Sequence, residues 1–118
     1  MSDCPFCGIA TGSTDTELLT ESLHSVAFHD RYPVGEGHAL VIPRRHVADL
    51  FDLDPGERAD AWALVDTVRD LLVEHFNPDG FNIGVNANEA AGQTVSHAHI
   101  HLIPRYQGDV EDPRGGIR

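Results

Sequence analysis

Apolar residues recur at helical spacing in one long stretch of this chain and cluster at strand length in several shorter ones. Ala61, Leu64, Val65, Val68, Leu71, Leu72 and Phe76 fall on one face of a 3.6-residue period, which predicts a long amphipathic helix. Its start is well signalled. Asp54 can cap, Pro55 suits the first helical position, and Glu57 stands where a capping box places an acid. Asn77-Pro78-Asp79-Gly80 stops it. Residues 17–21 and 25–30 read as short strands around a turn at 22–24. Residues 38–42 form an apolar run that Pro43 ends, 81–85 a further strand, and 94–105 a last long one. A helical turn is expected over residues 4–10, with breaker-rich loops at 32–37 and 87–93. Hairpins with one long and one short helix predict an α+β fold on a largely antiparallel sheet.

The 118 residues correspond to one ordinary domain, placed at 4–106, with an N-terminal end at 1–3 and a polar tail at 107–118. A composition 41% hydrophobic and 23% charged is that of a globular chain. No apolar run is long enough to span a bilayer, and no basic-then-apolar leader is visible, so a cytoplasmic protein without membrane contact is expected. The formal charge is −11, with no lysine, and such a surface repels polyanions; general nucleic-acid binding is not expected. A small phosphorylated ligand is still compatible, because local donors outweigh a distant field.

The chemistry concentrates in His97-Ala98-His99-Ile100-His101. On a strand, alternate side chains share a face, so the three imidazoles would stand in a row about 6.7 Å apart, with Ala98, Ile100 and Leu102 turned to the helix. Three imidazoles on an apolar strand are costly to bury without a use. Two uses fit them: metal ligation, or covalent catalysis by one ring with its neighbours positioning and protonating.

Gly92-Gln93-Thr94-Val95-Ser96 precedes the triple and Pro104-Arg105 follows it. Over residues 91–105 the chain resembles the histidine triad family without a gap. Ala27-Phe28-His29-Asp30 and the segment from Gly37 to His46 are similar to that family's nucleotide-side segments, so the resemblance runs from Cys4 to Arg105. It implies a homodimer with joined sheets that binds a purine nucleotide or nucleoside conjugate and cleaves a phosphoramidate or phosphoanhydride at the α-phosphate. His99 would attack phosphorus, and His101 would lie near the leaving group. Asn86, Gln93 and Thr94 would bond phosphate or leaving-group oxygens. Asp30 would bind the ribose hydroxyls, and Phe6, Ile9, Phe28, His29 and Leu40 would enclose the base. His38 would support the catalytic histidines from behind. Arg44, Arg45, Arg105 and the two tail arginines are further candidates for phosphate contacts.

Cys4 and Cys7 have the spacing of half of a four-ligand zinc site, the competing reading being two free, buried thiols. The resemblance supplies the other half, His46 and His97, and implies a structural rather than catalytic zinc, with no organic cofactor. Two other readings compete with the hydrolase. One is a metalloenzyme ligated by His97, His99 and His101, and the other is a nucleotide sensor or partner module without turnover.

Overall fold

The computed structural model describes residues 4–115. The expected N-terminal end, 1–3, and the last three residues of the tail, Arg118 among them, lie outside the described residues. Two α-helices and five strands follow the order α1 (Pro5–Thr11), β1 (Thr20–Glu21), β2 (Ser25–His29), β3 (Ala39–Pro43), α2 (Pro55–Phe76), β4 (Gly80–Gly84) and β5 (Ile100–Arg105). Short 3₁₀ turns occupy Leu50–Asp52 and Glu89–Ala91. The strands lie in the spatial order β1-β2-β3-β5-β4, every neighbour antiparallel. This is the α+β arrangement that the pattern predicts.

The sheet is covered on both faces, because its alternate residues point opposite ways. Ala27, Ala39, Val41, Ala98, Ile100 and Leu102 pack beneath Leu64, Val65, Val68 and Leu72 of α2. Val26, Phe28, Leu40 and Ile42 face the other way, against Phe6, Ile9 and Ala10 of α1. The α2 start is as expected: the Glu57 side chain accepts from the Asp54 amide, and Pro55 occupies the first turn. Asn77 ends the helix in the left-handed region, with φ of 47°. At α1 the Cys4 sulfur accepts from the Cys7 amide, and Gly12 closes the helix at φ 81°. Among the described residues, no helix is long and apolar enough to cross a membrane.

The last strand differs from expectation. It begins at Ile100, so Thr94 to His99 reach the sheet as irregular chain. The cause is Pro43. Continued register would set it opposite Ala98, but proline has no N–H to donate to the ladder. The Pro43 carbonyl instead accepts from the His97 ring, and the Ala98 amide donates to the Val47 carbonyl. His97 and His99 are therefore set by these bonds rather than by strand pleating.

Candidate active site

The three triad imidazoles face three different partners, and backbone groups fix the direction of each ring. A carbonyl can only accept, so His99 donates through Nδ1 to the His97 carbonyl at 2.8 Å. In the neutral ring, Nε2 then keeps its lone pair. The ring is buried, 6% exposed, yet it lines the main cleft, edge-on to Phe6 at 5.2 Å and to His101 at 5.0 Å between centroids.

The proton positions on His38 and His101 follow in the same way. The Val34 amide donates to His38 Nδ1 at 3.2 Å, so the His38 proton sits on Nε2. That Nε2–H donates to His101 Nδ1 at 2.9 Å, with the Asp30 carboxylate 3.4 Å away. A neutral His101 must then carry its proton on Nε2. Burial, with the nearby His99 and His38 rings, pushes His101 down to about 4. Burial likewise lowers His38, against the raising pull of Asp30. The result is a lone pair on one ring and an N–H on the next, neither requiring a charge.

The cleft beside these rings holds about 900 Å³, within the range of a small-molecule site. Phe6, Ile9, Phe28 and Leu40 supply apolar walls; Asp30, Asn86 and Thr94 bring polar groups to it, and His29 and Gly92 line it as well. Gly92 sits at φ 92°, a conformation that glycine alone adopts without strain. Apart from the candidate arginines, Gln93 is the one residue expected to touch ligand that is absent from this lining. Its carboxamide braces the loop instead: Oε1 accepts from the Asn88 amide at 2.7 Å, and Nε2 donates to the Ala48 and Val95 carbonyls. Asn88 is held at φ 76° and ψ 166°, a region costly for any side chain, and its amide group donates to Asp49.

Sequence reasoning missed several cleft residues. Thr14, Asp15 and Thr16 reach its rim because the chain folds back after Gly12, with the Thr14 amide donating to the Gly8 carbonyl. A Cβ at Gly8 would collide with Thr14 Oγ1, which is a signal that a lone glycine in a short helix could have given. Arg31 and Tyr32 line the cleft as well, the guanidinium lying 5.7 Å from the ring centroid. The proposed arginine contacts are engaged elsewhere. Arg44 pairs with Glu21, Arg45 with Glu57, Arg105 with Asp109, and Arg114 with Asp112.

His97 belongs to a separate cluster. Its Nε2–H donates to Pro43, so its Nδ1 lone pair faces Cys4 Sγ at 3.4 Å, Cys7 Sγ at 3.6 Å and His46 Nδ1 at 3.2 Å. His46 Nδ1 in turn lies 3.2 Å from Cys7 Sγ. The edges of a tetrahedron with zinc–nitrogen near 2.0 Å and zinc–sulfur near 2.3 Å are about 3.3–3.8 Å, so this donor set fits a zinc ion closely. Asp30, His38 and His101 are the other group of potential ligands, and His99 belongs to neither. Among the described residues, the triad therefore forms no common three-histidine ligand set.

Against known proteins, the model of the HIT domain matches residues 11–108. The chain belongs to the HIT family. An uncharacterized HIT-like protein of Mycoplasma genitalium is 37% identical over 106 residues, which is 90% of this chain and 75% of that one. The bis(5'-adenosyl)-triphosphatase of Dictyostelium discoideum is 41% identical over 97 residues, 82% of this chain and 65% of the enzyme. A crystal structure of a HIT family protein from Bacillus anthracis superposes with a TM-score of 0.83 at 42% identity, over 89% of this chain and 74% of that one. A zinc-bound histidine triad protein from Mycobacterium smegmatis gives 0.83 at 36% identity, over 91% and 78%. In this HIT chain, then, the histidine triple is divided by geometry between a metal-type cluster and the cleft.

Proposed function

We propose that the protein is a nucleotide hydrolase or transferase that cleaves a phosphoramidate or phosphoanhydride at the α-phosphate of a purine nucleoside conjugate, through a nucleotidyl-histidine on His99. The single observation behind this reading is the His99 ring: its Nδ1–H is tied to the His97 carbonyl and its Nε2 lone pair is left for the cleft. The kinship with a triphosphatase supports the same class of bond.

In the first step the His99 Nε2 lone pair attacks phosphorus and a nitrogen–phosphorus bond forms. The bond from phosphorus to the leaving atom breaks, and its electron pair stays on that atom. His101 holds its Nε2–H as a hydrogen bond to the departing atom, and the proton that neutralises it comes from solvent. In the second step water attacks phosphorus, the bond to His99 breaks with its pair returning to Nε2, and one proton returns to solvent. Asn86, Thr94 and the backbone around Gly92 surround the phosphate, Asp30 takes the ribose hydroxyls, and Phe6, Ile9, Phe28, His29 and Leu40 hold the base. Gln93 acts by holding this loop.

We assign zinc to Cys4, Cys7, His46 and His97, with four protein ligands and no open position. Bound there, it would cross-link the start of α1 to the segments carrying His46 and His97. The reading also includes a homodimer joined through β4, whose outer edge pairs with no strand among the described residues. It places the protein in the cytoplasm, where thiols stay reduced. The test is a chemical trap. Rapid denaturing quench during turnover of an adenosine phosphoramidate should leave one nucleotidyl group on the peptide bearing His99. Turnover without that adduct, and unaffected by His99→Ala, would remove the assignment.

A further inference from the structure

Phe6, Ile9, Phe28 and Leu40 can grip an aromatic ring, but apolar side chains offer nothing to its polar edge. Two tight turns on the cleft supply what those walls lack. In the first, the Thr16 amide donates to the Thr14 carbonyl, which leaves Asp15 at the apex. In the second, the Asp30 side chain accepts from the Tyr32 amide at 3.0 Å, so Arg31 is the middle residue of an Asx turn. The Arg31 guanidinium is backed by the Tyr32 ring. The two turns are neighbours. The chain entering β1 stays beside β2, with the Leu19 amide donating to the Ala27 carbonyl, and its antiparallel course brings residues 14–16 level with 30–32. Asp15 and Arg31 both line the cleft.

Among the described residues, neither of these two side chains makes an ion pair, and Arg31 is the one arginine in the lining. It also stands one residue past Asp30, the carboxylate read as taking the ribose, so a base beyond that ribose meets it. A guanidinium only donates hydrogen bonds, and a carboxylate only accepts them. Guanine presents O6 and N7 as acceptors on one edge and N1–H and N2–H₂ as donors on the next. Adenine keeps N7, puts an N6–H₂ donor where O6 was, bares N1 as an acceptor and has no 2-amino group. Both charges therefore find partners on guanine. On adenine, Arg31 faces a donor and Asp15 faces a lone pair.

We propose that Arg31 and Asp15 read the edge of the base and select guanine over adenine. Arg31 donates to O6 and N7, and Asp15 accepts from N1–H and N2–H₂. The preferred substrate is then a guanosine 5′-phosphoramidate or a phosphoanhydride with guanosine on its α-phosphate. The inference rests on the reading of the cleft as a nucleotide site with Asp30 at the ribose; it does not depend on His99 being the nucleophile. Each reader is held by its own turn, Arg31 by the Asp30 cap and Asp15 by a segment tied to α1 through the Thr14 amide.

Calorimetric titration with GMP, IMP and AMP tests base reading apart from turnover. GMP should bind about tenfold more tightly than AMP, the lower range of what a bidentate arginine–guanine contact gives. IMP has O6, N7 and N1–H but no 2-amino group, and should fall between the two. Arg31→Met keeps the length of the side chain and should bring GMP and AMP within about twofold of each other, chiefly by weakening GMP. Asp15→Ala should erase the difference between GMP and IMP. Melting temperatures of both variants check the fold. The kcat/KM values of guanosine and adenosine 5′-phosphoramidate should differ by about the same tenfold. Equal GMP and AMP affinities in the unaltered protein would overturn the proposal. So would an equal loss of both in Arg31→Met, the result that a phosphate contact gives. Preferential GMP binding with cleavage of neither phosphoramidate would uphold the base readers and overturn the hydrolase. Binding of none of the three nucleotides would overturn both.

Discussion

At the scale of single residues, what distinguishes the triad histidines is the partner of each ring nitrogen. His99, with Nδ1 on a carbonyl, is the one ring whose free lone pair faces the cleft. Replacing it by alanine or glycine should reduce turnover at least about 10³-fold, while AMP binding, measured by calorimetry, stays within a few-fold. His101 carries a pH signature. An unfolded histidine titrates near 6.5, whereas burial and its neighbours push His101 down to about 4 and lower His38 as well. Folded values below unfolded ones mean that the fold favours the neutral rings. The stability they contribute is complete above about pH 6.5 and is lost progressively as pH falls toward about 4, because the unfolded chain takes up protons that the fold refuses. Thermal melts between pH 7.5 and 4.5 should show this fall. His101→Gln should flatten part of it, and an identical slope in that variant would contradict the assignment.

Elements were legible in the sequence to the extent that their local chemistry decides them. The Asp54–Glu57 start and the apolar period of α2 are local, and the helix occurs where they place it. The order of short strands is local as well. The beginning of β5 is not: the pleat expected from residue 94 depends on what stands opposite, and there Pro43 cannot donate to the ladder. The role of Gln93 was hidden for the same reason. Its neighbours in sequence suggested phosphate, whereas its partners, Asn88, Ala48 and Val95, are fixed by how the loop returns. By contrast, the apolar walls of the cleft, Phe28 and Leu40, could be read directly, because a strand residue that packs in the core also marks the face. Gln93→Ala should lower kcat about 10- to 100-fold through a misplaced loop, and KM for the nucleotide much less. Asn88→Gly relieves the positive φ and should retain more activity than Asn88→Ala. Steady-state kinetics on the three variants checks both statements.

For the whole molecule, the sheet sandwiched between α1 and α2 explains why the metal-type cluster and the cleft are neighbours. Helix α1 begins at the cysteines, and Phe6 between them packs edge-on against His97, His99 and Phe28. Losing the cluster should therefore loosen α1 rather than remove the nucleophile. Cys4→Ser should eliminate bound zinc and lower the melting temperature by about 5–10 °C, with turnover per folded molecule reduced far less. Metal analysis beside calorimetric melting tests this; an unchanged melting temperature would contradict a structural ion. The account as a whole depends on two successive displacements at phosphorus. The most direct measurement is the stereochemical course of hydrolysis of a nucleoside phosphoramidate made chiral at phosphorus with sulfur and an oxygen isotope. Two in-line steps through His99 predict retention of configuration, and inversion would show that water attacks directly and that no nucleotidyl-histidine is formed.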